Sequence, residues 1–242
     1  MLLAVDIGNT NITCGLYKNH NWVKIIRIPS TSNFDEQLIS LKDYEINNVA
    51  ISSVVPELTD ICYEGINKLF QINGFVINHS NSGIMLDVHN PEEVGSDRIC
   101  NSVAAINMVG VPAIVGDIGS ATNYDVINNA SAFIGGAIAP GLETAARNLF
   151  NKAALLKETA FKIPKYVIGR DTPTNLQSGI MLGAIDVIDG MFKRIQNEAG
   201  WDQSNNIITG GFGELISPYL KTKHQFIPTL TLDGIRIINE KR

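Results

Sequence analysis

Two stretches of this chain end an apolar run in Asp-Ile-Gly: Asp6-Ile7-Gly8-Asn9-Thr10 near the start, and Asp117-Ile118-Gly119-Ser120 near the middle. An aspartate at the end of a buried strand can bring its carboxylate out into a cleft. Gly8 lets the backbone turn tightly and approach a ligand, and Asn9 and Thr10 add small polar groups and exposed N–H donors. A phosphate needs such donors, and a phosphate-bound Mg2+ needs a carboxylate, often through water. One copy reads equally as a hairpin turn with a satisfied aspartate. Two copies at corresponding places favour the ligand reading.

Three further stretches could carry chemistry. Residues 90–101 read NPEEVGSDRICN and put Gly95 and Ser96 in a turn, with Asp97 and Arg98 in the first turn of a helix. A helix N-terminus favours an ionised carboxylate, the form a general base requires, and Arg98 can fork two hydrogen bonds onto a substrate carboxylate. The alternative is a capping aspartate beside a surface arginine. Thr209-Gly210-Gly211 follows a strand and opens a helix, so the diglycine admits a flat or phosphorylated ligand close to the backbone. Residues 135–141, GGAIAPG, suit either a cleft wall or a tight connection into a helix. Neither GxGxxG nor GxxxxGK[ST] occurs, so Rossmann and P-loop readings fail.

The elements that must position these residues come in two similar series. Strands are expected at 2–6, 11–17 and 22–28, a helix at 34–42, a strand at 48–54, a helix at 57–70, a strand at 74–78 and a helix at 97–108. Strands at 112–117, 121–127 and 131–135 restart the order, followed by helices at 141–150 and 175–199, a strand at 205–209 and a helix at 212–220. Ile180, Met181, Ile185, Ile188 and Phe192 give the long helix one apolar face, read as core or as a dimer seam, with Gly179 and Gly183 four apart. The expectation is an α/β protein of two domains, 1–111 and 112–242, with mixed sheets.

Bulk properties narrow the function. The 242 residues are 45% hydrophobic and 18% charged, with a net charge of −5, so a sizeable core is expected. Positive charge is scattered, which argues against nucleic acid as a partner. Asp6 interrupts the N-terminal apolar run and no uninterrupted apolar stretch is long enough to span a bilayer, so neither a secretory signal nor a membrane partner is expected. Cys14, Cys62 and Cys100 are widely spaced and read as buried thiols of a reducing, cytoplasmic compartment.

In combination and order, these motifs resemble those of type III pantothenate kinases, within the acetate and sugar kinase/Hsp70/actin superfamily. Residues 6–10, 90–98, 117–122, 135–141 and 209–211 fit D-x-G-N-T, N-P-x-x-V-G-x-D-R, D-x-G-T-A-T, G-G-x-I-x-P-G and T-G-G, with 168–172 and 230–234 matching as well. The resemblance implies two ribonuclease-H-like domains facing a central nucleotide cleft, and transfer of phosphate from ATP to pantothenate in coenzyme A biosynthesis. It implies that Asp6, Gly8, Asn9, Thr10 and Asn11 hold ATP phosphates and Mg2+, with Gly119 and Ser120 on the phosphates and Gly210 and Gly211 beside the nucleotide. Asp117 would help hold a monovalent cation, K+ or NH4+. Asp97 would accept the pantothenate hydroxyl proton, and Gly95, Ser96, Arg98 and Thr172 would line the pantothenate site. A homodimer is implied too. Ser120 and Asn123 stand where the family has Thr, and Val88 where it often has an aromatic. A kinase of another small hydroxy-carboxylate, or a non-catalytic regulator of the Bvg accessory factor type, is the alternative.

Overall fold

The computed structural model describes residues Met1–Arg242, which divide into two compact units. The first comprises Met1–Met108, Ser131–Phe133 and Thr229–Arg242; the second comprises Val109–Ala130 and Ile134–Pro228.

In the first unit, β1 (Leu2–Ile7), β2 (Asn11–Lys18) and β3 (Asn21–Pro29) form an antiparallel meander. Then come α1 (Phe34–Leu38), β4 (Asn48–Ser53), α2 (Pro56–Phe70) and β5 (Phe75–Val76). The strand order is β3-β2-β1-β4-β5, with β4 parallel to β1. Because strand side chains alternate, Leu3, Val5 and Ile7 join one core layer with Phe34, Leu38, Cys62 and Ile66 from α1 and α2. Leu2 and Ala4 face the other layer, filled by Ile99, Cys100 and Val103 of α3 (Ser96–Met108) and by Leu232, Ile235 and Ile238. Asp6 shares the alternation of Leu2 and Ala4, which directs it to the α3 side. Between β5 and α3, the two-residue β6 (Met85–Leu86) pairs with residues 132 and 133.

The second unit repeats the plan. β7 (Ala113–Ile118) and β8 (Ala121–Ile127) are antiparallel, β9 (Ala132–Pro140) follows, and β10 (Asn205–Thr209) lies parallel to β7 with β11 (Gln225–Phe226) beyond it. Its helices are α4 (Leu142–Lys152), α5 (Thr172–Gln177), α6 (Gly183–Ala199) and the short α7 (Gly213–Ile216). A π-turn over Ser178–Leu182 joins α5 to α6 where the sequence predicts unbroken helix. Met181, Ile185, Ile188 and Phe192 are buried in the core, whereas a Cβ added at Gly179 or Gly183 would meet no atom.

The sequence reading assigns residues 112–242 to one domain, but α8 (Leu230–Glu240) packs in the first unit. A Cβ at Gly234 would collide with the Cys100 backbone, so α3 and α8 are in backbone contact there. The Trp22 indole donates to Asp233 (3.1 Å), and the Thr231 hydroxyl donates to Asn101 (2.8 Å). The helix, β6 and β11 are absent from the sequence expectations. No helix is long and apolar enough to cross a membrane.

Candidate functional site

Asp6 and Asp117 occupy the same place in two equivalent strands. Each is the fifth of six residues and half-buried, and the other five are buried in both β1 and β7. Burial of the rest anchors the strand, so each carboxylate is held at the strand's carboxyl end. The turns that follow differ by one residue. Ile7 pairs with Ile12, whereas Ile118 pairs with Thr122. Gly8 N–H donates to the Asn11 carbonyl (3.0 Å), and Gly119 N–H to that of Ala121 (2.9 Å).

In the first unit, Ser30 ties the Asp6 turn to the end of β3. Its hydroxyl donates to the Gly8 carbonyl (2.7 Å) and its N–H to the Thr10 carbonyl (2.9 Å), leaving Asn9 and Thr10 exposed at the tip. Asn11 begins β2.

The turn at Gly95 is brought to the same end of the sheet. The Ser96 hydroxyl accepts from Ser53 N–H (2.7 Å), donates to the Ser53 carbonyl (2.8 Å) and lies 3.0 Å from the Ser52 hydroxyl. Ser52 is the residue opposite Asp6 in the parallel β1–β4 register. The carboxyl ends of β1 and β4 therefore gather Asp6 and the first turn of α3, where ligands of α/β sheets bind. Ser96, assigned by resemblance to substrate contact, spends its hydroxyl on β4. The Ser52–Ser53 pair was missed, although two serines closing a buried strand are a visible signal.

Asp97 folds back over its own turn. Its carboxylate accepts Arg98 N–H (2.7 Å) and lies where a Gly95 side chain would stand, so a side chain there would displace it. Burial pushes the Asp97 carboxyl above the usual aspartate range, against the lowering by Arg98 N–H and the Arg98 charge. The helix N-terminus does favour the anion, but desolvation outweighs it. A base poised closer to neutrality is better matched to accepting a proton. Arg98 lies over the Phe133 ring, 5.2 Å from its centroid.

In the second unit, the carboxyl ends of β7 and β10 are paired at Asp117 and Thr209. Gly210 follows at φ +89°, and a Cβ there would collide with the Asp117 carboxylate and the Ile118 backbone. The Asp117 turn and the diglycine are thus in direct contact, with Gly211 exposed beside them. Gly141 presses on Gly119 and Ser120 just as closely. The Ser120 carbonyl accepts Gly141 N–H (3.1 Å) and the Thr144 hydroxyl (2.8 Å), which sets the start of α4 against this turn. Ser120 is exposed. Oxygen donors from a strand-end carboxylate and its turn suit a hard cation, and crowded glycines suit a phosphate chain.

Thr172 also belongs to the second unit; it is exposed as the first residue of α5. Asp171 caps that helix, accepting Thr174 N–H (2.8 Å) and the Thr174 hydroxyl (2.6 Å), which hold its carboxyl below the usual range. Before it, Tyr166, Val167 and Ile168 are exposed apolar residues on a concavity of about 1020 Å³ that no residue of the phosphate-type turns lines. Burial makes the three free thiols poor nucleophiles; that of Cys62 is pushed up to about 12.

Residues 2–194 match the profile of a family described as type III pantothenate kinase. A curated type III pantothenate kinase from Moorella thermoacetica is 38% identical over 253 residues, covering 100% of this chain and 99% of its own. Among solved structures, a Baf family protein from Campylobacter jejuni superposes with a TM-score of 0.64 at 19% identity, covering 99% of this chain and 98% of that one. A ROK hexokinase from Thermus thermophilus superposes with a TM-score of 0.50 at 9% identity, covering 99% and 98%. At such identities these two speak for the fold, which fits two ribonuclease-H-like units.

Proposed function

Since the chain belongs to the type III pantothenate kinase family, whose reaction is ATP-dependent phosphorylation of pantothenate, we propose that Asp97 is the general base of that reaction. One observation carries this: a half-buried carboxylate with a raised pKa, held by α3 at the same strand ends as Asp6. The reaction is the first step of coenzyme A biosynthesis. A purely regulatory role is not favoured by the curated relatives.

In this reading, Asp97 accepts the proton of the attacking pantothenate hydroxyl as the oxygen bonds to the γ-phosphorus of ATP and ADP leaves. Protein catalysis of such a transfer is chiefly positioning and charge stabilisation. Asp6, Gly8, Asn9, Thr10 and Asn11 take the phosphates, and Gly119 and Ser120 contact them as well. Gly210 and Gly211 pass beside the nucleotide. Asp6 would hold the Mg2+ of Mg-ATP and Asp117 a monovalent cation; such ions would supply charge neutralisation. Arg98 anchors the pantothenate carboxylate, and Gly95, Ser96 and Thr172 line that site, Ser96 through its placement of α3.

The proposed assembly is a homodimer. It is supported by the exposed Tyr166, Val167 and Ile168 beside Thr172, and by the open surfaces of Gly179 and Gly183. Three free buried thiols fit a cytoplasmic location.

A coupled assay of ADP release with Mg2+ and K+ tests the reading. ADP release should depend on pantothenate and fall by about 10²–10⁴-fold in Asp97→Asn. Near-normal turnover in that variant overturns the base assignment.

A further inference from the structure

Phe133 is the second residue of β9 yet belongs to the first unit, and it is 1% exposed. Its carbonyl accepts Asp87 N–H (2.8 Å), and it pairs with Leu86 in the short parallel ladder. That ladder fixes the start of the segment that runs through Val88 to the Gly95 turn. Its ring faces the Arg98 guanidinium at 5.2 Å, within the range of a cation–π contact. Arg98 Nη2 is buried, so the attraction acts away from water, where it is strongest. An arginine on a flexible stem forks onto a carboxylate well only if its plane is held in advance. A ring held against the guanidinium restricts where it can turn.

We propose that Phe133 is a positioning residue for pantothenate recognition. Its ring orients the Arg98 guanidinium, while its main chain fixes the segment leading to the Gly95 turn. This rests on the reading of Arg98 as the carboxylate anchor.

The test uses the full chain and steady-state kinetics with pantothenate and ATP varied separately. Replacing Phe133 by pentafluorophenylalanine keeps the ring's shape and inverts its charge distribution, so folding is preserved. The pantothenate KM is expected to rise about 5- to 30-fold. A merely structural role would move kcat and the ATP KM too; both are expected to stay within about twofold. Phe133→Leu is expected to follow the fluorinated protein. In an Arg98→Ala background neither replacement should raise KM further, because no guanidinium remains to be oriented. An unchanged KM on fluorination, or an equal rise with and without Arg98, overturns the proposal while the anchor reading stands. A wild-type pantothenate KM in Arg98→Ala alone overturns the anchor reading and the proposal with it.

Discussion

The hydroxyls of Ser52 and Ser96 lie 3.0 Å apart, and each adjoins a group of the candidate site. Ser52 is opposite Asp6 in the sheet register, and Ser96 precedes Asp97. The contacts of the Ser96 hydroxyl with Ser52 and Ser53 therefore set the spacing between the phosphate-type turn and the proposed base.

Ser96→Ala tests that coupling. It leaves Ser53 N–H without its side-chain acceptor, at a cost of about 1–3 kcal/mol. The melting temperature should fall by roughly 2–4 °C per kcal/mol. Turnover should drop as Asp97 loses its fixed place, with pantothenate KM little changed. A raised KM in a fully stable protein would instead mean that the Ser96 hydroxyl touches substrate.

Asp97→Asn should trade activity for stability. In a folded state with a raised pKa, the ionised carboxylate costs stability above that pKa, and the cost declines as pH falls from there and is gone below the unfolded-state value. The variant should melt higher than wild type at pH 7. The two curves should converge in acid, where wild-type Asp97 is protonated. Thermal melts across pH check this; a variant less stable at pH 7 contradicts it.

The pH profile of kcat/KM for pantothenate should show the same group. Turnover needs the anion, so the acid limb should lie above the usual aspartate range, because burial outweighs the Arg98 contacts. A limb at or below the ordinary carboxylate value would show that the Asp97 site is wetter than its burial implies.

Gly210→Ala should damage the turn cluster of the second unit. The φ of +89° strains any side chain, and the new methyl would displace the Asp117 carboxylate. We expect at least about a tenfold rise in ATP KM, equivalent to roughly 1.4 kcal/mol, together with an altered K+ requirement. Unchanged nucleotide kinetics would remove the Asp117–Gly210 contact from the mechanism.

Asp233→Ala should loosen the last helix. Asp233 accepts from Trp22 (3.1 Å) and from the Thr229 hydroxyl (2.7 Å), and pairs with Arg236 at 3.7 Å. Loss of these partners should cost about 2–4 kcal/mol and quench or shift Trp22 fluorescence. Urea melts followed at Trp22 would read both effects.

The doubled strand and turn were legible because local rules agreed there. An apolar run, a carboxylate at its end and a glycine fix the turn without help from distant residues. The Asp97 turn was legible for the same reason. The identity of its neighbours was not, since Ser52 and Ser96 meet only after β4 and α3 have packed. Leu230, Leu232, Ile235, Ile237 and Ile238 of α8 are buried, but Thr231, Asp233 and Arg236 alternate with them, a spacing that reads equally as a strand. β6 and β11 are two residues long, too short for any alternation to register. Phe133 carries no signal of its own in the sequence, because its partner Arg98 lies far along the chain.

The return of α8 to the first unit also constrains how the chain comes off the ribosome. Val109–Ala130 and Ile134–Pro228 are complete before Ile235 and Ile238 emerge, whereas the layer on the α3 side of β1 lacks part of its cover until they do. The half made first is thus finished last. Until then it exposes Leu2, Ala4 and Ile99, the kind of surface that recruits chaperones.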